Sequence, residues 1–175
     1  QSGRDSLPLN EDSIWYGGPP NRTNKDCKPN LPKIRQLLLD GKLNEAENLM
    51  TVAMSATPQS ERPYQTAGNL WFNFPWGEMT DYKRELNLSE GKVTVSYTQN
   101  GANIVREYFA SQPAQLIVVK VKTDKPGSLS FSLMMDRGRF YDGACKMDDN
   151  TIKMWGNTGE NAVRFLLATR AVAKG

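Results

Sequence analysis

Two pairs of neighbouring carboxylates are the residues of this sequence best suited to acid–base chemistry. Asp148 and Asp149 stand in the run KMDDN, just before a β-patterned segment, and a tight polar turn uses the same residue types. We therefore interpret this pair as a turn. Glu11 and Asp12 lie in a segment rich in Asn, Gly and Pro. Three roles are open to them: catalysis, sugar binding, or hydrogen bonds to neighbouring backbone amides.

A second kind of candidate site combines guanidinium groups, carboxylates and aromatic rings. The segment 136–143 (DRGRFYDG) carries Arg137 and Arg139 and suits contacts to carbohydrate or protein. A salt-bridged surface loop would have the same composition. Sugar rings stack on aromatic side chains, although burial in a core or against another domain explains such residues equally well. The aromatic candidates are Trp15, Tyr16, Trp71 and Trp76.

Composition excludes several other classes of function. The 175 residues contain no histidine, which removes Ser-His-Asp and Cys-His catalysis and the commonest zinc ligand. The net charge is only +3 and the basic residues are interspersed with acidic ones, so we expect no nucleic-acid partner. No apolar run approaches the roughly 20 residues of a membrane span. We also expect no cofactor and no metal. Cys27 and Cys145 fit either two free thiols or one disulfide.

Two helices are predicted near the start of the chain. Asn30 is a suitable N-cap for a first helix over residues 31–40, and Gly41 fits its C-terminal stop. A second helix has Asn44 as its N-cap, with the glutamate of a capping box three residues later. Together they predict a helical hairpin over about residues 31–56. Before the hairpin, residues 10–29, rich in Asn, Asp, Gly and Pro, predict an extended covering loop.

Beyond Pro63 the hydrophobic period changes from helical to two, which predicts strands. The strand-like runs are 70–74, 82–88, 93–98, 116–123, 129–135, 151–155 and 163–172. Asn100-Gly101 predicts a hairpin with a type I′ turn, because both central residues of that turn need positive φ. About eight short antiparallel strands predict a mainly β fold. We expect one domain over residues 1–175, an antiparallel, supersandwich-like β-sandwich with the helical hairpin inserted near its start.

Residues 9–19 (LNEDSIWYGGP) resemble the LNED-(S/T)-(L/I)-W-x-G-x-P signature near the start of family 95 glycoside hydrolases, the α-L-fucosidases and their relatives. The similarity continues in order and spacing through residues 31–42, 46–47, 64–65, 68–71 and 81–88, and the later segments 106–111 and 126–129 also fit. It therefore covers essentially the whole chain from Leu7 onward.

This resemblance implies the N-terminal β-sandwich domain of a bacterial enzyme whose (α/α)₆ barrel hydrolyses α-L-fucosides, chiefly 1,2-linked ones, with inversion. The family's general acid and water-activating residues lie in that barrel and match no position here, so we expect no catalytic residue in this chain. A barrel in the same polypeptide and a fucosylated glycan are the implied partners, with a periplasmic or secreted location. The family also has a glycine-rich strand pair before the signature and a domain end beyond Gly175, which implies an incomplete domain.

An accessory and scaffolding domain is therefore the leading hypothesis. Substrate or interdomain contacts are expected at Asn10, Glu11, Trp15, Tyr16, Trp71, Arg137 and Arg139. We expect Trp15 to anchor the covering loop by packing on the sandwich or on the barrel. The rival hypothesis is a free-standing carbohydrate-binding or surface adhesion module, since fold alone does not determine function. The helical hairpin argues against that rival, because a minimal binding module needs none.

Overall fold

The alternation of polar and apolar side chains beyond Pro63 favours strands. The computed structural model describes residues 3–60 and 62–174, and the fold of these residues is mainly β. The helices are α1 (Cys27–Leu39) and α2 (Leu43–Ala53). The strands are β1 (Arg4–Leu9), β2 (Gly68–Asn73), β3 (Met79–Asn87), β4 (Lys92–Gln99), β5 (Ala102–Ser111), β6 (Leu116–Thr123), β7 (Ser132–Asp136), β8 (Gly143–Asp148), β9 (Thr151–Asn157) and β10 (Arg164–Arg170). The predicted fold class is confirmed.

The chain divides into two compact units, and the single domain predicted over residues 1–175 stays a prediction. The sheet unit contains the segment that ends at Leu9, Ala67–Trp155, and the segment that begins at Leu166. The loop–helix unit contains Asn10–Thr66 and Gly156–Phe165. The predicted helical hairpin lies within the second unit.

Three antiparallel sheets are formed by the strands, in the orders β1-β2-β7, β10-β9-β8 and β3-β4-β5-β6. One apolar cluster in the sheet unit draws on all three of them. Its buried members include Phe72 of β2 and Met154 of β9, with Val119 of β6 packed against them. The Phe72 ring lies 6.4 Å from the Tyr108 ring and 6.1 Å from the Phe131 ring. Residues from facing sheets therefore share one core, as in a β-sandwich.

The tight turn between β4 and β5 has the predicted geometry. Asn100 and Gly101 have φ of 51° and 71°, as a type I′ turn requires. The turn sets the register in which Gln99 pairs with Ala102 and Val95 with Arg106. That register places every second residue of β5 on the core face.

Strands β1 and β8 were missed by the sequence analysis. β1 pairs with β2 over six residues, from Arg4 opposite Asn73 to Leu9 opposite Gly68. Its alternation is weak because Asp5 occupies a core-facing position opposite Phe72. The side chains of β8 are exposed after Gly143, so its sequence carries no half-buried period.

Helix α1 begins earlier than predicted, at Cys27 instead of Leu31. The expected cap Asn30 lies inside the helix, and its side-chain Nδ2 donates backwards to the Asp26 carbonyl at 2.9 Å. The helix continues through Pro32. Its end is as predicted, because Gly41 has φ of +74° and donates to Leu38.

Helix α2 begins at Leu43, so the predicted cap Asn44 lies within its first turn. Helix α2 begins this early because backbone groups of Lys42 make hydrogen bonds to the last turn of α1 and to the first turn of α2. Its N–H donates to Leu37 at 2.9 Å, and its carbonyl accepts from Ala46 at 3.0 Å. The expected capping box is not formed, since no side-chain hydrogen bond caps this helix.

Two smaller findings concern cysteine and the membrane. Cys27 and Cys145 are both free thiols, one partly buried and the other exposed. Among the described residues, neither helix has the length and apolar character needed to cross a bilayer.

Candidate functional site

The structure divides the predicted contact residues between the two units. Asn10, Glu11, Trp15 and Tyr16 lie in the loop–helix unit, on the covering loop. Trp71, Arg137 and Arg139 lie in the sheet unit. Each group is therefore described within its own unit.

The signature loop, residues 10–18, is held in place by backbone hydrogen bonds. The Tyr16 amide donates to the Pro63 carbonyl at 3.1 Å, and the Gln65 amide donates to the Ile14 carbonyl at 2.8 Å. A Cβ on Gly18 would lie 1.9 Å from the Asn161 carbonyl oxygen, so only glycine permits this close approach. The loop is fixed although it has no regular secondary structure.

Thr158 holds the signature loop in place through hydrogen bonds to its backbone. Its side chain is fully buried, and its Oγ1 donates to the Trp15 carbonyl at 2.7 Å. Its own carbonyl accepts from the Gly17 amide at 3.0 Å. One threonine thus satisfies two backbone groups of the signature loop, which would otherwise be left without partners.

We expect Thr158→Val to lower the free energy of unfolding by about 1–2 kcal/mol, because valine has the same shape but cannot donate to Trp15. Urea unfolding measures the change. Thr66→Val is the control, since Thr66 is exposed and should tolerate the same exchange with little effect. Equal losses in both variants would mean that the Thr158 hydroxyl does not hold the loop.

Three aromatic side chains of this unit form what we call the aromatic patch: Trp15, Tyr16 and Tyr64. They are 41%, 43% and 38% exposed. The Trp15 and Tyr64 rings meet edge to face with centroids 5.6 Å apart. The Tyr64 hydroxyl lies 3.2 Å from the Asn10 Oδ1, and the Trp15 Nε1 donates to the Asp12 carbonyl at 2.7 Å. The polar atoms of Trp15 and Tyr64 are thus fixed while the three side chains stay partly exposed, and the Arg62 guanidinium carbon lies 6.0 Å from the centre of the Tyr16 ring.

The role predicted for Trp15, anchoring the covering loop by packing on the sandwich or on the barrel, stays a prediction. The ring is not buried, and the buried residue of the signature loop is its neighbour Ile14, which is 2% exposed. Tyr64 was not predicted as a contact residue, although Tyr64-Gln65 belongs to the stretch that resembles the family. That shared stretch was the available signal.

Glu11 has the environment of a loop-stabilising carboxylate. It accepts hydrogen bonds from the hydroxyl and the backbone amide of Ser13. The Ser13 hydroxyl holds the pKa of Glu11 below its ordinary value. A general acid of a glycosidase needs the opposite shift, a raised pKa. Of the three roles left open for Glu11, this geometry favours hydrogen bonding to neighbouring amides.

Asp148 and Asp149 form the turn that the sequence predicted. The Asn150 amide donates to Asp148 Oδ1 at 2.8 Å, and this bond holds the pKa of Asp148 below its ordinary value. Asp149 pairs with Lys146 at 2.8 Å. Both carboxylates thus have structural partners where β8 turns into β9.

The remaining predicted residues occupy different environments in the sheet unit. Trp71 lies on β2 with the Arg4 guanidinium stacked 3.9 Å above its ring, and its Nε1 is buried without a hydrogen-bond partner. Burial lowers the pKa of Arg137, whereas Arg139 is exposed. Trp71 and Arg137 are partly buried, and the contacts expected of all three residues stay predictions.

A buried polar cluster in the sheet unit was missed by the sequence analysis: Asp5, Tyr97, Arg106 and Tyr108. Arg106 is 6% exposed, and its Nη1 donates to Asp5 Oδ2 at 2.9 Å. The Tyr108 hydroxyl donates to the same oxygen at 2.9 Å. Burial raises the pKa of both Tyr97 and Tyr108, so both phenols stay protonated at neutral pH. The available signal was a charged residue at the core-facing position 106 of a strand.

Within residues 3–60 and 62–174, no three His, Cys, Asp or Glu side chains lie close enough together to hold a metal ion. The geometry is therefore that of a fixed aromatic surface and a buried polar cluster.

Comparison with known proteins identifies the relatives of this chain. The family model described as "Glycosyl hydrolase family 65, N-terminal domain" matches residues 1–175. "Alpha-L-fucosidase 2" of Arabidopsis thaliana is 33% identical over 155 residues, which cover 86% of this chain and 18% of the relative. The chain thus corresponds to less than a fifth of that protein's length. The matching model is named for family 65, whereas the sequence resemblance pointed to family 95.

Proposed function

Because this chain belongs to the family of glycosyl hydrolase family 65 N-terminal domains, we propose that it is the N-terminal accessory domain of a glycoside hydrolase that acts on α-L-fucosides. The substrate class is supported by the fucosidase relative and by the LNEDSIWYGGP signature. Family 95 membership, hydrolysis with inversion, and a catalytic (α/α)₆ barrel in the same polypeptide are further parts of this proposal.

The observation that carries the proposal is the combination of a fixed signature loop with outward-facing rings. Loops held on a rigid scaffold commonly supply binding residues, because the scaffold fixes their geometry in advance. The aromatic patch offers three partly exposed rings, and the exposed Asn10 offers a polar group beside Tyr64. Such a surface suits either a neighbouring barrel or the ring of a fucoside. The domain would support catalysis without performing it.

We expect Trp15→Ala to lower kcat/KM for an aryl α-L-fucoside about tenfold in the polypeptide that joins this chain to the proposed barrel, because one ring contact is lost. In the 175-residue chain alone, the same variant should lose only about 1 kcal/mol of stability or less, since its ring is half exposed. Steady-state kinetics and thermal unfolding measure the two effects.

Trp76→Ala is the matched control, because Trp76 is 80% exposed and lies outside the signature loop. Equal kcat/KM for the two variants and the unchanged polypeptide would contradict a role for the patch. If the chain alone bound fucosylated glycans tightly and no barrel accompanied it, the free-standing binding module would be the better description.

A further inference from the structure

Strand β6 forms one edge of the four-stranded sheet in the sheet unit. The strand order β3-β4-β5-β6 gives it a single hydrogen-bonded neighbour, and within residues 3–60 and 62–174 no further strand pairs with it. Its register with β5 runs without a shift from Leu116 to Thr123. An edge this long and regular presents a row of backbone N–H and C=O groups with which another chain can pair.

The opposite edge of the same sheet is protected against such pairing. Strand β3 has a register shift between Thr80 and Lys83 where it pairs with β4, and Asp81 within that shift has φ of +55°. Irregular backbone of this kind prevents another strand from pairing along an edge. Strand β6 (LIVVKVKT) contains no proline, no glycine and no register shift. Of the two edges of this sheet, β6 is therefore the one that admits a further strand.

The hydrogen bonds between β5 and β6 determine which backbone groups face the free edge. The Asp124 amide donates to the Asn103 carbonyl at 3.2 Å, and these two residues continue the β5–β6 register by one position. In an antiparallel pair, residues that exchange hydrogen bonds alternate with residues whose backbone groups face the other way. The N–H and C=O groups of Ile117, Val119 and Val121 therefore face away from β5.

The two faces of β6 carry different side chains. Its odd-numbered residues lie on the core face of the sheet, where Val119 packs against buried core residues and Ile117 is 52% exposed. Its even-numbered residues, which include Lys120 and Lys122, lie on the outer face. A strand that pairs with β6 must therefore continue the apolar row on the core face and must not place a cation opposite either lysine.

A second copy of this chain meets both requirements. When the two β6 strands run antiparallel with Val119 opposite Val119, two-fold symmetry places Ile117 of each copy opposite Val121 of the other. The three outward-facing residues of one strand then exchange backbone hydrogen bonds with the same three residues of the other. Their apolar side chains form one continuous row on the core face.

Charge and strand length select this register over its neighbours. In this register Lys120 lies opposite Val118 and Lys122 lies opposite Leu116, so no lysine faces another. A shift of two residues in one direction places Lys120 opposite Lys120 of the other copy, and like charges directly opposite each other are destabilising. A shift of two residues in the other direction leaves Val121 with no β6 residue opposite it.

We propose that two copies of this chain pair along β6 and join their four-stranded sheets into one continuous sheet. The interface consists of backbone hydrogen bonds and one row of apolar side chains, so it is small and its affinity is low. The pairing goes beyond the proposed accessory role, because it uses neither the aromatic patch nor a barrel. Its failure would leave that role intact, and the reverse also holds.

The test is the oligomeric state of the 175-residue chain, measured by sedimentation equilibrium at concentrations up to about 1 mM. We expect a reversible equilibrium between monomer and dimer. Leu116 is 59% exposed and lies opposite Lys122 of the other copy in the proposed register. Leu116→Glu should therefore dimerise about tenfold more tightly than Leu116→Lys, because one variant creates attractive pairs across the interface and the other creates repulsive ones. High salt should reduce this difference.

Hydrogen exchange gives a second measurement that needs no variant. The Val119 amide faces the free edge in a single chain, so its exchange should slow as the concentration rises and the dimer forms. The Lys120 amide faces β5, so its exchange should depend much less on concentration.

Leu88→Glu and Leu88→Lys are the matched controls, because Leu88 is 84% exposed and lies in the turn between β3 and β4. Both should dimerise as the unchanged chain does. The proposal is overturned if the chain stays monomeric at about 1 mM, if the two Leu116 variants dimerise equally, or if exchange of the Val119 amide does not depend on concentration. It is also overturned if the polypeptide that joins this chain to the proposed barrel stays monomeric at the same concentration.

Discussion

Asp5→Ala is expected to destabilise the chain by about 2–3 kcal/mol, because it leaves the buried guanidinium of Arg106 without its counter-charge. The Arg106 side chain is 7% exposed and the Asp5 side chain 31%, so water reaches one partner and the loss stays below that of a fully buried pair. Tyr108 also loses the acceptor of its hydroxyl. Urea or thermal unfolding of the purified chain measures the effect.

The variant Asp5→Ala/Arg106→Met separates the orphaned charge from the lost contacts. Methionine fills the space between Phe74 and Tyr97 without a charge, so the double variant should recover about 1–2 kcal/mol relative to Asp5→Ala. Arg106→Met alone should cost less than Asp5→Ala, because Asp5 remains partly hydrated. If the double variant is no more stable than Asp5→Ala, the unpaired guanidinium is not the source of the loss.

The fold class was predictable because most strands are half buried. In β2 and β4, buried and partly buried residues alternate, and this period of two is visible in the sequence. The Asn100-Gly101 turn was predictable for a local reason, its positive φ values. Helix starts were less predictable, since Asn30 and Asn44 have the chemistry of caps but lie inside helices that begin at Cys27 and Leu43 without a side-chain cap.

Of the two candidate sites, one could be predicted from the sequence and the other could not. The aromatic patch was largely predictable, because Trp15 and Tyr16 lie in one short signature. The buried polar cluster was not, because Asp5 and Arg106 are 101 residues apart in sequence and only strand pairing brings them together. Asp5 is also the reason why β1 was not predicted, since a carboxylate on the core face interrupts the hydrophobic alternation that is typical of a strand.

The largest effect that we expect is the complete absence of fucosidase activity in the isolated chain. Glycosidases use two carboxylates on opposite sides of the scissile bond, one of them with a raised pKa. The pKa of Glu11 is lowered instead, and Asp148 and Asp149 are engaged in a turn. With no histidine in its 175 residues, the chain also lacks the commonest alternative acid–base group.

The central claim, that this chain supports catalysis without performing it, is tested most directly by the rate of aryl α-L-fucoside hydrolysis. The purified 175-residue chain is compared with the polypeptide that joins it to the proposed barrel and with a blank. We expect the chain alone to match the blank, and the joined polypeptide to exceed it by at least about a millionfold, the lower range of enzymatic rate enhancement. Turnover by the pure chain that is abolished by Glu11→Gln would contradict the account.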